Sequence, residues 1–590
     1  MKKQLLALTL TLTLLLTGCG VTPTEILTEE PEATGETIAY VPLDDRPDNW
    51  ERVIYLAESL GYQLAMPEPD LFRTRLNDQP TNANGTQYGD RGALLQWVLD
   101  REAAGCDRYV LFLDQLLSGG LVNSRAMSAH EAITLPDGRV LTELEALDLL
   151  LTTLSADPDN RVWLLDSVMR LAPTVGYLHW TLEEYNALRE YGAQPRPDLK
   201  GEALNLPRVK ATYVLDKEGG SLFPQDFGLT EALVTEYLAS RSRKLELTDA
   251  VQTALAGPGF ENFRLMIGID DSSAEECIQK NEIALLRSRL RPGDALLSGV
   301  DDLAFKAVSK LFIEEQDWAG ADVTVEYIGG TEDQAACAYD FQPLDTVVTE
   351  HLEFFRLTPV DSDPDMAVLV LTQPLDEGQM AAYGDRLVER VLAWQEQQVP
   401  VTLIDASNGR YGTAVHDKLV EKTDLGWLVS YAGFLDMAIV TGTALSHGAG
   451  RLAFLQLGQQ TEATERAFAR TLADSVLKDF AYKHIVRPQL LDYIRSQGGN
   501  PDNFWSPKQD VEDYTVQMAA AMNNALRPLV ENLQRSSFIS GLEPYALRGW
   551  GGVEIGNYRF PWDRAFEISM DIGLGAFTEA HEKWMGVTIR

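Results

Sequence analysis

The sequence predicts an α/β protein whose main domain is a parallel sheet, open and doubly wound, with a TIM-like barrel as the alternative arrangement. Three observations carry this. Short apolar runs recur and each stops at an acid: "YVPL" before Asp44-Asp45, "YVLFL" before Asp114, "VWLL" before Asp166, "LMIGI" before Asp270-Asp271, "LLSGV" before Asp301-Asp302 and "VTLI" before Asp405. Continuous runs of this kind suit strands covered on both faces, whereas half-exposed strands alternate. Helix-like stretches separate the runs, and a strand–helix–strand order implies parallel pairing through crossovers.

The elements follow in order. After Pro47, Asp48 and Glu51 have the spacing of a helix cap, Val53, Ile54, Ala57 and Leu60 share one face, and Gly61 ends the helix. The next short strand is "YQLAMP". The main domain runs over 37–360 and ends at "DSDPD", a linker-like break near Asp361. Beyond it "MAVLVL", "PVTLI" and "LVSYAG" form a second, smaller α/β unit over 361–455. Residues 456–535 are amphipathic and mainly helical, and in 536–590 the alternating "VEIGNYRF" and "FEISMDI" predict short antiparallel strands.

Ahead of these elements, Lys2 and Lys3 precede an apolar stretch from Leu5 to Leu16, too short to span a bilayer. Residues 1–18 are therefore expected to be an export signal, and Leu16-Thr17-Gly18-Cys19 resembles a bacterial lipobox with Cys19 as the lipidated residue. Residues 19–36, rich in Thr, Pro and Glu, read as a flexible acidic tether. The expected location is extracytoplasmic, on a lipid anchor in the outer face of the cytoplasmic membrane. The formal charge of −38 becomes −40 once Lys2 and Lys3 leave with the signal, which excludes nucleic acid and anionic lipid headgroups as ligands.

Ligands of open parallel sheets bind at the carboxyl ends of the strands, where all these acids are expected. Pro42 and Pro47 frame a rigid loop presenting Asp44, Asp45 and Arg46. Asp44, Asp45, Asp270 and Asp301 are the candidate catalytic carboxylates, because two acids in unlike environments can serve as acid and base in glycoside cleavage. Arg46, Asp114, Asn123, Arg125, Arg170, Asp271 and Asp302 are the candidate substrate-binding groups. In "DQLLSGGLVNSR", Gly119-Gly120 lets backbone approach a ligand and Arg125 offers a planar fork, with a tight turn as the structural reading. Arg170 stands four residues after Asp166, so a helical pair between them is expected; Arg241 and Arg243 read as a solvated helix face, and His447 as a helix C-cap or a proton carrier.

No cofactor is expected, with Mg²⁺ or Ca²⁺ held by the acids as an alternative. Cys106, Cys277 and Cys337 lie far apart and read as buried thiols. The seven histidines include no HExxH, and G-x-S-x-G is absent, which argues against a zinc hydrolase and a serine triad.

Seven stretches in order, "VPLDDRP", "DQLLSGGLVNSR", "VMR", "GIDDSS", "SGVDDLA", "YAGF…TGTALSHG" and "FPWDRAFEI", resemble the bacterial domain of unknown function numbered 4127, found in exported proteins of Firmicutes. The resemblance runs from about residue 38 to the C-terminus and implies an α/β fold and importance for the aspartates and arginines above, but supplies no reaction. Where the family reads GWNTAGNTLGTA this chain has "GFLDMAIVTGTA", so Leu435 and Ile439 replace two asparagines, and Asp302 stands where the family has glutamate. The functional expectation is a membrane-tethered, extracytoplasmic hydrolase of a glycan or cell-envelope saccharide, or alternatively a noncatalytic solute- or saccharide-binding lipoprotein.

Overall fold

The computed structural model describes residues 36–574 and 577–579, apart from 77, 274, 335–338, 434–436, 506, 536–537, 540–546 and 551–552. Cys19, Cys337, Leu435, the signal and nearly all of the tether lie outside the described residues.

Two parallel sheets form the fold. The first contains β1 (Glu36–Val41), β2 (Tyr62–Ala65), β3 (Arg108–Phe112), β4 (Arg161–Val168), β5 (Phe263–Ile269) and β6 (Ala295–Ser298), in the order β2-β1-β3-β4-β5-β6. The second contains β7 (Ala321–Ile328), β8 (Leu357–Pro359), β9 (Met366–Leu371), β10 (Val401–Asp405) and β11 (Leu428–Gly433), in the order β8-β7-β9-β10-β11. Both are open, so the doubly wound arrangement is adopted and not the barrel. The "DSDPD" stretch falls between β8 and β9, which belong to one sheet: Leu357 pairs with Ala321, and Met366 with Val323.

Burial explains why the strands read as continuous apolar runs. In β1, Ile38 and Tyr40 face a core between the two sheets, while Ala39 and Val41 face a separate core on the other side. In β9, Met366, Val368 and Val370 enter the shared core, while Ala367, Leu369 and Leu371 enter a third. Each Val, Leu, Ile or Met among them contributes about 1.5–3 kcal/mol when fully buried, so both faces must be apolar. The shared core also takes residues from α1 (Glu51–Ser59), α4 (Leu303–Glu315), α5 (Leu344–Phe354) and α7 (Met437–Leu457). The outer faces are covered by other helices, among them α2 (Leu113–Ser118), α3 (Glu231–Leu255), α6 (Thr413–Lys422), α8 (Glu462–Ser475) and α9 (Val511–Arg535). Between α8 and Arg487, residues Val476–Val486 wind as a π-helix. Val553–Arg559 and Ser569–Leu574 pair antiparallel, as their alternation predicts.

Several local expectations are corrected. Asp48 does not cap α1, whose N-cap is Trp50; its carboxylate accepts from Arg52 Nη1 at 3.1 Å instead. Asp166 lies inside β4, so Arg170 cannot pair with it through a helical turn. Arg241 and Arg243 are buried, each ion-paired with a glutamate, Glu282 and Glu143 respectively. His447 sits in mid-helix in α7 against the Phe305 ring, and burial pushes its pKa down to about 3, so it is neither a C-cap nor a proton carrier near neutrality. Cys277 is buried, whereas Cys106 is half-buried.

Candidate functional site

In the first sheet the strand order reverses at β1, so a crevice opens beyond the carboxyl ends of β1 and β3. Pro42 stops β1, and the loop to α1 carries Asp44, Asp45 and Arg46 into that crevice. Asp44 is fully buried and accepts from the Arg46 backbone N–H at 3.0 Å, from Arg46 Nη2 at 2.8 Å and from Asn49 Nδ2 at 2.8 Å. The other edge of the same guanidinium donates to both oxygens of Asp301, at 2.9 and 2.6 Å, just beyond β6. One planar fork therefore joins the ends of two strands that are not neighbours in the sheet. Burial pushes the Asp301 carboxyl above its ordinary value, against the opposing pull of Arg46.

Asp45 points the other way. Its Oδ1 accepts from the Thr74 N–H at 3.1 Å and from Trp562 Nε1 at 2.7 Å, and Arg73 stands 3.5 Å from Oδ2. Burial outweighs these donors and raises its pKa to about 6. Trp562 also lies under Arg46, with the guanidinium 5.0 Å from the ring centroid. Asp45 and Asp301 are thus each one contact away from the same Trp562–Arg46 stack.

A third group completes the wall. Arg125 donates to Asp270 beyond β5 and, at 2.9 Å, to Thr174 Oγ1. Arg170 donates to Asp271 Oδ2 at 3.0 Å and is held by the carbonyls of Ala172 and Pro173. A depression among these groups is lined by Asp270, Asp271, Ser298, Asp301, Tyr339 and Ile439. Ile439, one of the two departures from the family pattern, therefore borders the cleft, near the start of α7.

Of the eleven candidate residues, Asp44, Asp45, Arg46, Arg125, Arg170, Asp270, Asp271 and Asp301 come together, and three do not. Asp114 is fully buried in the first turn of α2 and pairs at 2.7 Å with Lys244 of α3, which also binds Asp166. Asp302 is buried against Lys306, four residues on, at 2.8 Å. Asn123 is spent on the Ser118 carbonyl and the Tyr177 hydroxyl, both at 2.6 Å. Asp114 and Asp302 each turn inward, toward a buried lysine. Gly119 and Gly120 serve the turn: both adopt positive φ, at 83° and 120°, and a Cβ on Gly119 would stand 2.7 Å from the Tyr88 ring.

The residues missed were Trp562, Arg564 and Glu567, whose only signal was their presence in "FPWDRAFEI". Glu567 lies 3.5 Å from Arg564, and burial raises its pKa. Outside the cleft, Asp405, His416 and His484 bring a carboxylate oxygen and two ring nitrogens within 4.8 Å of one another, a set able to hold a metal.

Fold and cleft define a class: a two-sheet parallel α/β protein with paired aspartates and arginines at the carboxyl edge of its first sheet. The chain belongs to the family of proteins of unknown function DUF4127, whose model matches residues 38–571. No curated protein and no solved structure matches it.

Proposed function

We propose that the cleft is the active site of a hydrolase that cleaves a glycan or cell-envelope saccharide outside the cytoplasm, on a lipid anchor at Cys19. The observation that carries this is the Trp562–Arg46 stack: its indole N–H donates to Asp45, a carboxyl raised to about 6, and its guanidinium grips Asp301. A carboxyl of that kind holds its proton in mildly acidic surroundings and can give it to a departing glycosidic oxygen. Asp301, with about a quarter of its side chain exposed, is the second carboxylate, acting as base or nucleophile. Arg46 and Trp562 orient the sugar, while Arg125–Asp270 and Arg170–Asp271 offer paired donors and acceptors to its hydroxyls.

The test is release of reducing ends from cell-wall and plant oligosaccharides by the purified chain. Asp45→Asn and Asp301→Asn are each expected to slow turnover by about 10²–10⁴-fold with the fold intact. No cleavage by the wild type, or undiminished cleavage by both variants, overturns the reading.

A noncatalytic saccharide-binding lipoprotein is the second reading, favoured by one observation: Asp44, Asp270, Asp271 and Asp301 are all already engaged by arginines. Binding without turnover raises the melting temperature by mass action, so a shift with a sugar that is recovered intact selects this reading.

A further inference from the structure

At the carboxyl edge of the second sheet, Asp405 ends β10, His416 lies in α6 and His484 lies in the π-helical stretch Val476–Val486. π-Helical turns occur frequently at functional sites. Asp405 and His416 are each only 2% exposed. The His416 ring is oriented on two sides: Nδ1 lies 2.6 Å from the Gly412 carbonyl oxygen, and the Phe480 ring stacks on its face at 3.7 Å. A carbonyl accepts only, so a proton resides on Nδ1, which leaves Nε2 to face the carboxylate. Nε2 lies 3.3 Å from Asp405 Oδ2 and 3.5 Å from the Tyr431 hydroxyl.

Asp405 is fixed in turn. Its Oδ1 accepts from the Ser407 N–H at 3.1 Å and the Ser407 hydroxyl at 2.5 Å, whereas Oδ2 accepts no hydrogen bond among the described residues. Tyr411 is 4% exposed, feels the Asp405 charge, and its hydroxyl has no hydrogen-bond partner among the described residues. A carboxylate oxygen and an imidazole nitrogen at this distance are held together by a positive species shared between them, a proton or a metal ion. The separation also has a natural match, since ligands on a tetrahedral ion with bonds of about 2.0–2.1 Å stand roughly 3.3–3.4 Å apart.

We propose that Asp405 Oδ2, His416 Nε2 and a ring nitrogen of His484 bind one divalent first-row transition ion, with Zn²⁺ the best match. Two imidazoles and one carboxylate suit this class, whereas Mg²⁺ and Ca²⁺ take oxygen ligands. Three protein ligands leave a coordination position for water or substrate, and the Gly412 carbonyl on Nδ1 supplies the outer contact that orients a ligating histidine. The site belongs to the second sheet and does not rest on the cleft or its chemistry.

The experiment equilibrates the purified chain with Zn²⁺, removes free metal by dialysis and measures bound zinc by elemental analysis; a Co²⁺ titration follows the visible absorption of the bound ion. One equivalent per chain is expected, with affinity at least 100-fold weaker in His416→Gln and in His484→Gln, and a zinc-dependent rise in melting temperature seen only in the wild type. Circular dichroism checks each fold; if His416→Gln does not fold, the half-buried His484 position decides through His484→Gln. Substoichiometric zinc in folded wild type overturns the proposal and leaves a His416–Asp405 ion pair as the account of the contact. Wild-type affinity in a folded variant overturns it too.

Discussion

Replacing Asp45 by asparagine isolates the charge that the proposed chemistry depends on. Burial holds this carboxyl at about 6, while in the unfolded chain it titrates near 3.9. Between those values the native state binds more protons than the unfolded state, so stability falls as pH rises through the window. The penalty is absent below about pH 4 and complete above the folded pKa, where a shift of about two units corresponds to about 3 kcal/mol. Asparagine cannot ionise, yet its oxygen can keep the Trp562 Nε1 and Thr74 N–H donors, and the contact it gives up is the 3.5 Å pair with partly exposed Arg73. Asp45→Asn is therefore expected to match the wild type near pH 4 and to exceed it by about 2–3 kcal/mol at pH 8. Urea midpoints at several pH values, with unchanged slopes, measure the difference directly. A difference that does not vary with pH, or a variant less stable at pH 8, would refute the reasoning and remove the basis for Asp45 as a proton donor.

Arg46→Lys leaves the charge but cannot bridge Asp44 and Asp301 with a planar fork, so a loss of about 2–4 kcal/mol is expected in denaturant titration, and a loss below about 1 kcal/mol contradicts the bridge. Lys244→Met strands Asp114 and Asp166 in the interior and is expected to cost about 3–5 kcal/mol, largely restored when both acids become asparagine; failure of that rescue would count against charge as the cause. His447 has its folded pKa pushed by burial to about 3, below the unfolded 6.5, so the unfolded state takes up its proton first and stability is lost as pH falls through that window. His447→Leu should flatten the acid limb of the stability curve by up to about 1.4 kcal/mol per pH unit, and an unchanged limb would disprove it. Ile439→Asn restores an amide at the cleft wall and is expected to enlarge the thermal shift produced by hydroxyl-rich ligands, with an identical shift showing that the position does not touch ligand.

The sheets were legible because their strands are buried on both faces, so that Ile38 and Tyr40 and the intervening Ala39 and Val41 all had to be apolar. The boundary near 361 was not, because a polar, proline-containing stretch marks a loop equally well inside a sheet and between domains; here it links β8 to β9. In the cleft, eight of the candidates could be found from acids at strand ends and the arginines near them. Asp114 could not be separated from them, because the lysine that claims it is 130 positions away on α3. Asp302 was readable in principle, since Lys306 lies one helical turn on. The Asp405–His416–His484 set escaped because no local spacing joins His416 to His484; the π-helical winding of Val476–Val486 and the stacking of Phe480 on His416 bring them together.

That π-helical stretch also packs against residues that shape the cleft. Asp479 and, just before the stretch, Asp474 engage Arg52 of α1, whose guanidinium binds Asp48 in the loop that carries Asp44, Asp45 and Arg46. Asp479 further accepts from the Gly433 N–H at 3.4 Å, at the end of β11. Tyr482 donates to the Ala565 carbonyl at 2.9 Å, on the segment that brings Trp562 to Asp45. Five residues beyond Asp479, His484 packs edge-on against His416. A buried charge network is costly to leave incomplete, so a shift of this stretch that broke the Arg52 contacts would strand aspartates on both sides of it. The two carboxyl edges therefore share one wall. The consequence can be tested: Arg52→Met should both destabilise the chain and weaken ligand binding at the cleft, although Arg52 is not among the residues lining the depression there. Ligand-induced stabilisation equal to wild type in a folded Arg52→Met variant would show that the cleft loop holds its shape without that wall.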